Sequence, residues 1–217
     1  MLQTLRQTLI QNYLFFTFLL VYLISGGIWL GNALKGEMVL WLNGAHTPLL
    51  DIFFKYATWI GDGIFYGLVA LIFLAFHYGR GLILVIALAL NSLAAQLLKR
   101  FVFPDALRPK AFFGTDQWIH YVPGVEVHAY NSFPSGHSTT AFSVCLLLAI
   151  FSKKPWVGGL LFVIALLASI SRVYLAQHFF EDTYAGAVLG TGLTWLLYLW
   201  LSPRLEQHSK LQRGFLK

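Results

Sequence analysis

The sequence predicts an all-α membrane protein: a six-span transmembrane helical bundle, with an interfacial helix between the first two spans and both termini cytoplasmic. Three observations predict it. The 217 residues are 58% hydrophobic and only 11% charged, which leaves a soluble helical core too little polar surface. The apolar residues fall into runs of about 17–25, the length that crosses a hydrocarbon layer as a helix. The formal charge of +6, in such a chain, points to cytoplasmic loops and anionic headgroups and away from nucleic acid.

The first run covers 13–31. No small-residue cleavage site clearly ends it, so it is expected to stay as an anchor. Segment 32–57 mixes Leu40, Trp41, Leu49, Ile52, Phe53 and Phe54 with polar residues and reads as an amphipathic helix lying in the interface. Spans follow at 58–78, interrupted by Asp62, and at 81–98. The fourth, 137–152, is short, and the last two cover 156–174 and 181–201. Cys145 is the single cysteine and lies inside the fourth run, so it forms no intrachain disulfide and reads as a packing residue. There are no internal repeats, and one domain, 1–217, accounts for the chain.

Basic residues orient the bundle. Arg6, Arg80, Lys153, Lys154, Arg204, Lys210, Arg213 and Lys217 fall on one side, expected to be cytoplasmic. Lys35, Lys55 and Lys110 fall on the other, together with Lys99, Arg100, Arg108 and Arg172. The bias is clear only when these last four are set aside as site residues.

Three clusters carry chemistry. The most informative is Ser171-Arg172-Val173-Tyr174-Leu175-Ala176-Gln177-His178-Phe179-Phe180-Glu181-Asp182. Arg172, His178 and Asp182 follow a long apolar run, where ionisable groups are costly unless paired, hydrated or functional. His178 can attack phosphorus as a neutral imidazole. Asp182, one helical turn on, can hold the far ring nitrogen and so fix the tautomer. In Pro134-Ser135-Gly136-His137, Ser135 and Gly136 open a helix whose first amides make an anion site, and His137 can donate a proton to a leaving alkoxide. Lys99, Arg100 and Arg108, with Arg172, supply cations to clamp phosphate oxygens. No carboxylate–histidine cluster has convincing metal-ligand spacing. The aromatic-rich loop 111–133, with Phe112, Phe113, Trp118, Tyr121, Tyr130 and Phe133, is expected over the site mouth, where it could admit a lipid. His120, Glu126 and His128 read as solvated loop residues.

Together the clusters resemble the three-part signature of the type-two phosphatidic acid phosphatase superfamily. The third part is matched by Ser171-Arg172, His178 and Asp182, and the second by Pro134-Ser135-Gly136-His137. The first is a lysine, six residues, then Arg-Pro. Arg108-Pro109 is present, but the lysine position holds Phe101, with Lys99 and Arg100 just upstream. Lys99 is favoured for the role and Arg100 is its rival; Pro104 and Asp105 could make a bulge that restores the geometry. The motif region is 99–182.

The resemblance implies a phosphohistidine at His178 oriented by Asp182, with His137 as acid and then base. Lys99 or Arg100, Arg108, Ser135, Gly136 and Arg172 would hold the phosphate. No metal or other cofactor is implied. The implied substrate is a lipid phosphate at the outer face of a bacterial inner membrane: phosphatidylglycerophosphate, phosphatidate, polyprenyl diphosphate or a lipid A phosphate. Transfer to a second lipid fits the same motifs. A lipid or ion transporter is the non-enzyme alternative.

Overall fold

The computed structural model describes residues 2–114, 119–208, 211 and 213–216, and these form ten α-helices and no strand. α1 (Leu2–Gln11) and α2 (Tyr13–Asn32) are followed by α3 (Glu37–Gly44) and α4 (Pro48–Ala57). A 3₁₀ turn (Thr58–Gly61) leads to α5 (Gly63–Phe76) and α6 (Tyr78–Leu97), and a π-helical turn (Leu98–Val102) extends α6. α7 (Pro109–Phe113), α8 (Gly136–Ser152), α9 (Pro155–Tyr174) and α10 (Phe180–Glu206) complete the chain.

Four helices are long and apolar enough to cross a membrane: α2, α6 with its π turn, α9 and α10. A fifth candidate is bent, because α4 with its 3₁₀ turn meets α5 at 53°. Asp62 makes the break: its Oδ1 accepts the Ile64 amide at 2.7 Å and so starts α5. The residue that interrupts the second apolar run is thus a helix cap, which satisfies an amide left free at the helix start. α8 is shorter, at 17 residues, and most of its residues are buried within the bundle.

Segment 32–57 forms two helices where the sequence suggests one. Thr47 caps α4 by accepting the Leu50 amide at 3.2 Å, and Pro48 occupies its first turn. Proline disfavours helical backbone in the residue before it, so the chain turns at 45–47. Helix α1 is a further difference. It lies outside the first apolar run, and its Thr8 accepts from the Trp195 indole at 3.5 Å.

α8 is the central element. Phe142, Val144, Leu146 and Leu147 are fully enclosed by Phe15 of α2, Tyr66 of α5, Leu84 and Ala87 of α6, Phe162 and Ala165 of α9 and Ala187 of α10. Cys145 lies buried in the same cluster. A polar node ties four helices at mid-height. Asn91 Nδ2 donates to Thr194 Oγ1 at 2.9 Å and to Ser143 Oγ at 3.2 Å, while Thr194 donates to Ser143 at 2.7 Å. Tyr66 Oη lies 3.0 Å from the same Ser143 hydroxyl. In an apolar slab such groups must satisfy one another. The start of α8 lies hard against α10, because a Cβ at Gly190 would come within 2.2 Å of Thr139 O, and one at Gly186 within 2.6 Å of Ser135 O. That contact sets the second cluster beside the third.

Candidate active site

The site forms at one end of the bundle, where α6 ends, α8 begins, α9 ends and α10 begins. After Tyr174 the helix cannot continue to Phe180 without carrying His178 past the bundle. Instead Gln177 N and His178 N both turn back to Arg172 O, at 2.9 and 3.1 Å, with Ala176 at φ 51°. This tight reversal presents Arg172 and His178 to the same volume.

His178 and Asp182 are each 2% exposed, and Nδ1 of the histidine lies 3.2 Å from Asp182 Oδ2. Asp182 also accepts the Phe179 amide at 2.9 Å, capping its own helix. A third donor, unforeseen in the sequence, is the Ser132 hydroxyl. It donates to Asp182 Oδ2 and lies 3.3 Å from His178 Nδ1. The carboxylate thereby fixes a proton on Nδ1 and leaves Nε2 its lone pair. Burial, followed by the charges of Arg108, Arg172 and Lys99, pushes the His178 pKa well below its ordinary value, so the ring is neutral at physiological pH.

Lys99, Arg108 and Arg172 are 7%, 9% and 8% exposed. Lys99 donates to Asn131 O at 2.6 Å and to Ser132 O at 3.4 Å. The π turn makes this reach possible. Phe103 N bonds Leu98 O at 2.8 Å, a five-residue step that re-aims the side chains following α6, and a turn at 103–105 absorbs the two residues by which the first motif is longer than expected. Arg100 is exposed, and the structure does not bring it to the site. The chain then runs beside 129–132, with Arg108 N on Ala129 O at 2.8 Å and Ser132 N on Ala106 O at 3.0 Å.

Arg108 donates Nε to Tyr130 O at 2.9 Å and Nη1 to Gln177 O at 3.2 Å and Gln177 Oε1 at 3.4 Å. Arg172 donates Nη1 to Thr58 Oγ1 at 2.9 Å and Nη2 to Gln177 Oε1 at 3.3 Å. Its Nε is buried and has no partner among the described residues. Gln177, also unforeseen, thus joins both guanidiniums, while its Nε2 holds Glu126 O at 2.6 Å. Its only sequence signal was its place beside His178. Among the described residues none of these three cations makes an ion pair with a carboxylate.

Ser135 N bonds Asp182 O at 2.9 Å, and Ser135 Oγ accepts from Ser138 N at 3.4 Å. Gly136 begins α8, with open space where a Cβ would stand. His137 follows it, half-buried, its backbone against Gly61 of the 3₁₀ turn. Among the described residues the His137 ring has no hydrogen-bond partner.

The aromatic loop is partly folded into the bundle. Phe112 and Phe113 pack on Phe179 at 5.2 and 6.2 Å between ring centroids, and Phe133 packs on Phe103 at 4.7 Å. Tyr121 and Tyr130 are exposed; Trp118 lies outside the described residues. His120 is no solvated loop residue. It stacks on His46 at 3.9 Å and bonds Asp51 at 2.9 Å, and Tyr174 donates to that same carboxylate at 2.6 Å. Glu126 and His128 do project outward. Among the described residues no three of His, Cys, Asp and Glu gather as metal ligands.

The chain is similar to known proteins over most of its length. The chain is 27% identical over 169 residues to a lipid A 4'-phosphatase of Bacteroides thetaiotaomicron, covering 75% of this chain and 74% of that one. It is 29% identical over 181 residues to phosphatidylglycerophosphatase B of Bacillus subtilis, covering 78% and 74%. The crystal structure of Aquifex aeolicus LpxE superimposes with a TM-score of 0.67 at 27% identity, over 77% of this chain and 96% of that one. The family model described as the PAP2 superfamily matches residues 80–206, more than half of the chain and every member of the three clusters. The chain belongs to the PAP2 superfamily.

Proposed function

We propose that this protein is a membrane lipid phosphate phosphatase that cleaves a phosphomonoester or diphosphate through a phosphohistidine at His178. The observation that carries the reading is the trio of buried cations, Lys99, Arg108 and Arg172, gathered on neutral acceptors around a buried histidine–carboxylate pair. A buried, uncompensated positive charge is costly, and a phosphate ester supplies the missing anion. The names of the relatives, a lipid A phosphatase and a phosphatidylglycerophosphatase, support a lipid phosphate as substrate.

In this mechanism Lys99, Arg108, Arg172, the Ser135 hydroxyl and the Gly136 amide hold the phosphate oxygens. His178 Nε2 attacks phosphorus and the bond to the lipid oxygen breaks, while His137 gives that oxygen its proton. Asp182 stabilises the imidazolium through Nδ1–H, held in place by Ser132. Water then attacks the phosphohistidine, giving its proton to His137, and inorganic phosphate leaves. The protein's contribution is positioning and electrostatics, the usual means of phosphoryl transfer, and no metal takes part.

Six spans complete the reading, with the bent α4–α5 pair as the second and α8 as the fourth. Both termini are cytoplasmic, and the site faces the periplasmic side of a bacterial inner membrane. Support comes from the basic residues at the far ends of these helices. Release of inorganic phosphate from purified lipid phosphates and diphosphates, in detergent with EDTA, tests the chemistry. Activity abolished by the chelator and restored only by a divalent ion overturns the metal-free mechanism.

A further inference from the structure

A second polar cavity lies at the other end of the bundle. α6, α8 and α10 each have one end at His178, so the start of α6 and the ends of α8 and α10 lie at the far end of the bundle, roughly 25–40 Å along these helices at about 1.5 Å per residue. Between them is a cavity of about 300 Å³ whose lining includes His77, Arg80, Phe151, Lys153, Tyr198 and Ser202. That volume is at the lower end of small-molecule sites, about 300–1,000 Å³. The Arg80 guanidinium lies over the Phe151 ring at 5.4 Å, a stacked placement that leaves its in-plane donors available. Lys153 ends α8 in the left-handed region, at φ 55°, which turns the chain toward α9 and sets the residue at the cavity rim. Neither cation makes an ion pair among the described residues.

The charge of this end is one-sided. Seven of the nine acidic residues, Asp116 and Glu206 apart, belong to segments 33–62, 103–114, 119–135 and 175–182, which border the His178 end. The opposite end carries Arg6, Arg80, Lys153, Lys154, Arg204 and Arg213. Residues 213–216 lie against the end of α5 and the start of α6, with Tyr78 N on Arg213 O at 3.2 Å and Leu216 N on Ala75 O at 3.1 Å. A walled, cationic cavity at a helix-bundle end suits one phosphate with a small polar substituent.

We propose that this cavity binds the phosphate headgroup of an anionic phospholipid, in the leaflet opposite to that of the catalytic site. Arg80 and Lys153 take the phosphate oxygens. Among the described residues no carboxylate lines the cavity, and the proposed role is structural.

The test is lipid retention by the full-length protein. Delipidated protein is titrated with phosphatidylglycerol or phosphatidylcholine, and bound lipid is counted by native mass spectrometry. Wild type should retain phosphatidylglycerol preferentially. Arg80→Gln with Lys153→Gln should weaken it about thirty-fold, roughly fivefold per cation, with turnover of a short-chain phosphomonoester unchanged. Lys153→Asn, a residue that tolerates left-handed backbone, gives the single-cation step if the double variant does not fold. Equal retention of the two lipids by wild type, or undiminished phosphatidylglycerol binding in the variants, overturns the proposal. So does protection of wild type but not the double variant by inorganic phosphate while phosphatidylglycerol has no effect, since the ligand is then a soluble anion.

Discussion

Replacing Lys99 with methionine keeps the length of the side chain and removes its charge, and the structure assigns opposite signs to the effects on activity and on stability. The ammonium donates to Asn131 O and Ser132 O. Losing a charged donor of this kind costs about 1.5–3 kcal/mol. The same substitution relieves the burial of a cation that has no carboxylate partner, a term worth several kcal/mol in the other direction. The melting midpoint should therefore stay near that of wild type or rise. Turnover has no such offset. If Lys99 holds a phosphate oxygen whose charge grows in the transition state, kcat/KM should fall about 10²–10³-fold, the loss of one preorganised donor, about 2.7–4 kcal/mol. Arg100→Met removes an exposed cation and should be nearly silent. Steady-state phosphate release from one lipid phosphate, with a thermal melt of each variant, gives both readouts. A kcat/KM for Lys99→Met within about threefold of wild type, under 1 kcal/mol, refutes the reasoning, as does a larger loss for Arg100→Met.

Four further outcomes follow from the same geometry. His178→Ala should lose essentially all turnover while Asp182→Asn keeps a fraction, measured by phosphate release; substantial activity in His178→Ala removes it as nucleophile. Ser132→Ala takes one of three donors from Asp182 and should lower kcat by about tenfold, or roughly 1.4 kcal/mol, with KM little changed. An effect confined to KM would place Ser132 on the substrate instead. Nitrogen NMR of labelled histidine should find His178 neutral at about pH 5.5, where an ordinary imidazole of pKa about 6.5 is mostly protonated. The unfolded chain takes that proton and the folded chain does not, so acidification through this range costs stability; a protonated His178 there contradicts the burial argument. Single cysteines at Lys110 and Lys154, in a Cys145→Ala background, should label from outside intact cells at 110 only. Labelling at 154 only inverts the orientation.

The reach of the sequence was set by what each residue depends on. His178 and Asp182 were legible as a close pair from their short separation in the sequence, although His178 lies in the bend ahead of α10 and only Asp182 is in that helix, so the two do not share a helix face. Ser135 and Gly136 were legible because capping is local. The choice between Lys99 and Arg100 was not, since it turns on a π turn that no side-chain pattern announces. Ser132 and Gln177 were missed for a related reason. A serine in a loop and a glutamine beside a histidine have no period or charge signature, and their roles exist only where 129–132 is brought against α10. Asp62 misled in the opposite way, because a carboxylate in an apolar run reads as an interruption until its helix-capping bond is seen. The four longest spans were plain from composition. α8 was the least clear of the later ones because it is enclosed by protein, and helix neighbours permit it hydroxyls that lipid would not.

The acceptors chosen for the three cations explain why the site suits an anion and is not merely a buried ion-pair network. A structural salt bridge answers a cation with a carboxylate, satisfying both its hydrogen bonds and its charge. Here the answering groups are Asn131 O, Ser132 O, Tyr130 O, Gln177 O, Gln177 Oε1 and Thr58 Oγ1, all neutral. They meet the donors' directional needs and leave the charge in place. The nearby carboxylate, Asp182, is committed elsewhere, to Ser132, Phe179 N and His178 Nδ1. Among the described residues Arg172 Nε has no acceptor. The protein thus fixes the cations in position before an anion arrives, so little reorganisation is needed when one does. Burial, together with the same uncompensated field, keeps His178 neutral, which is the protonation state the proposed nucleophile requires. In the proposed mechanism a bound phosphate dianion would relax that field and favour an imidazolium at His178, so one arrangement would serve both the resting state and the step that follows.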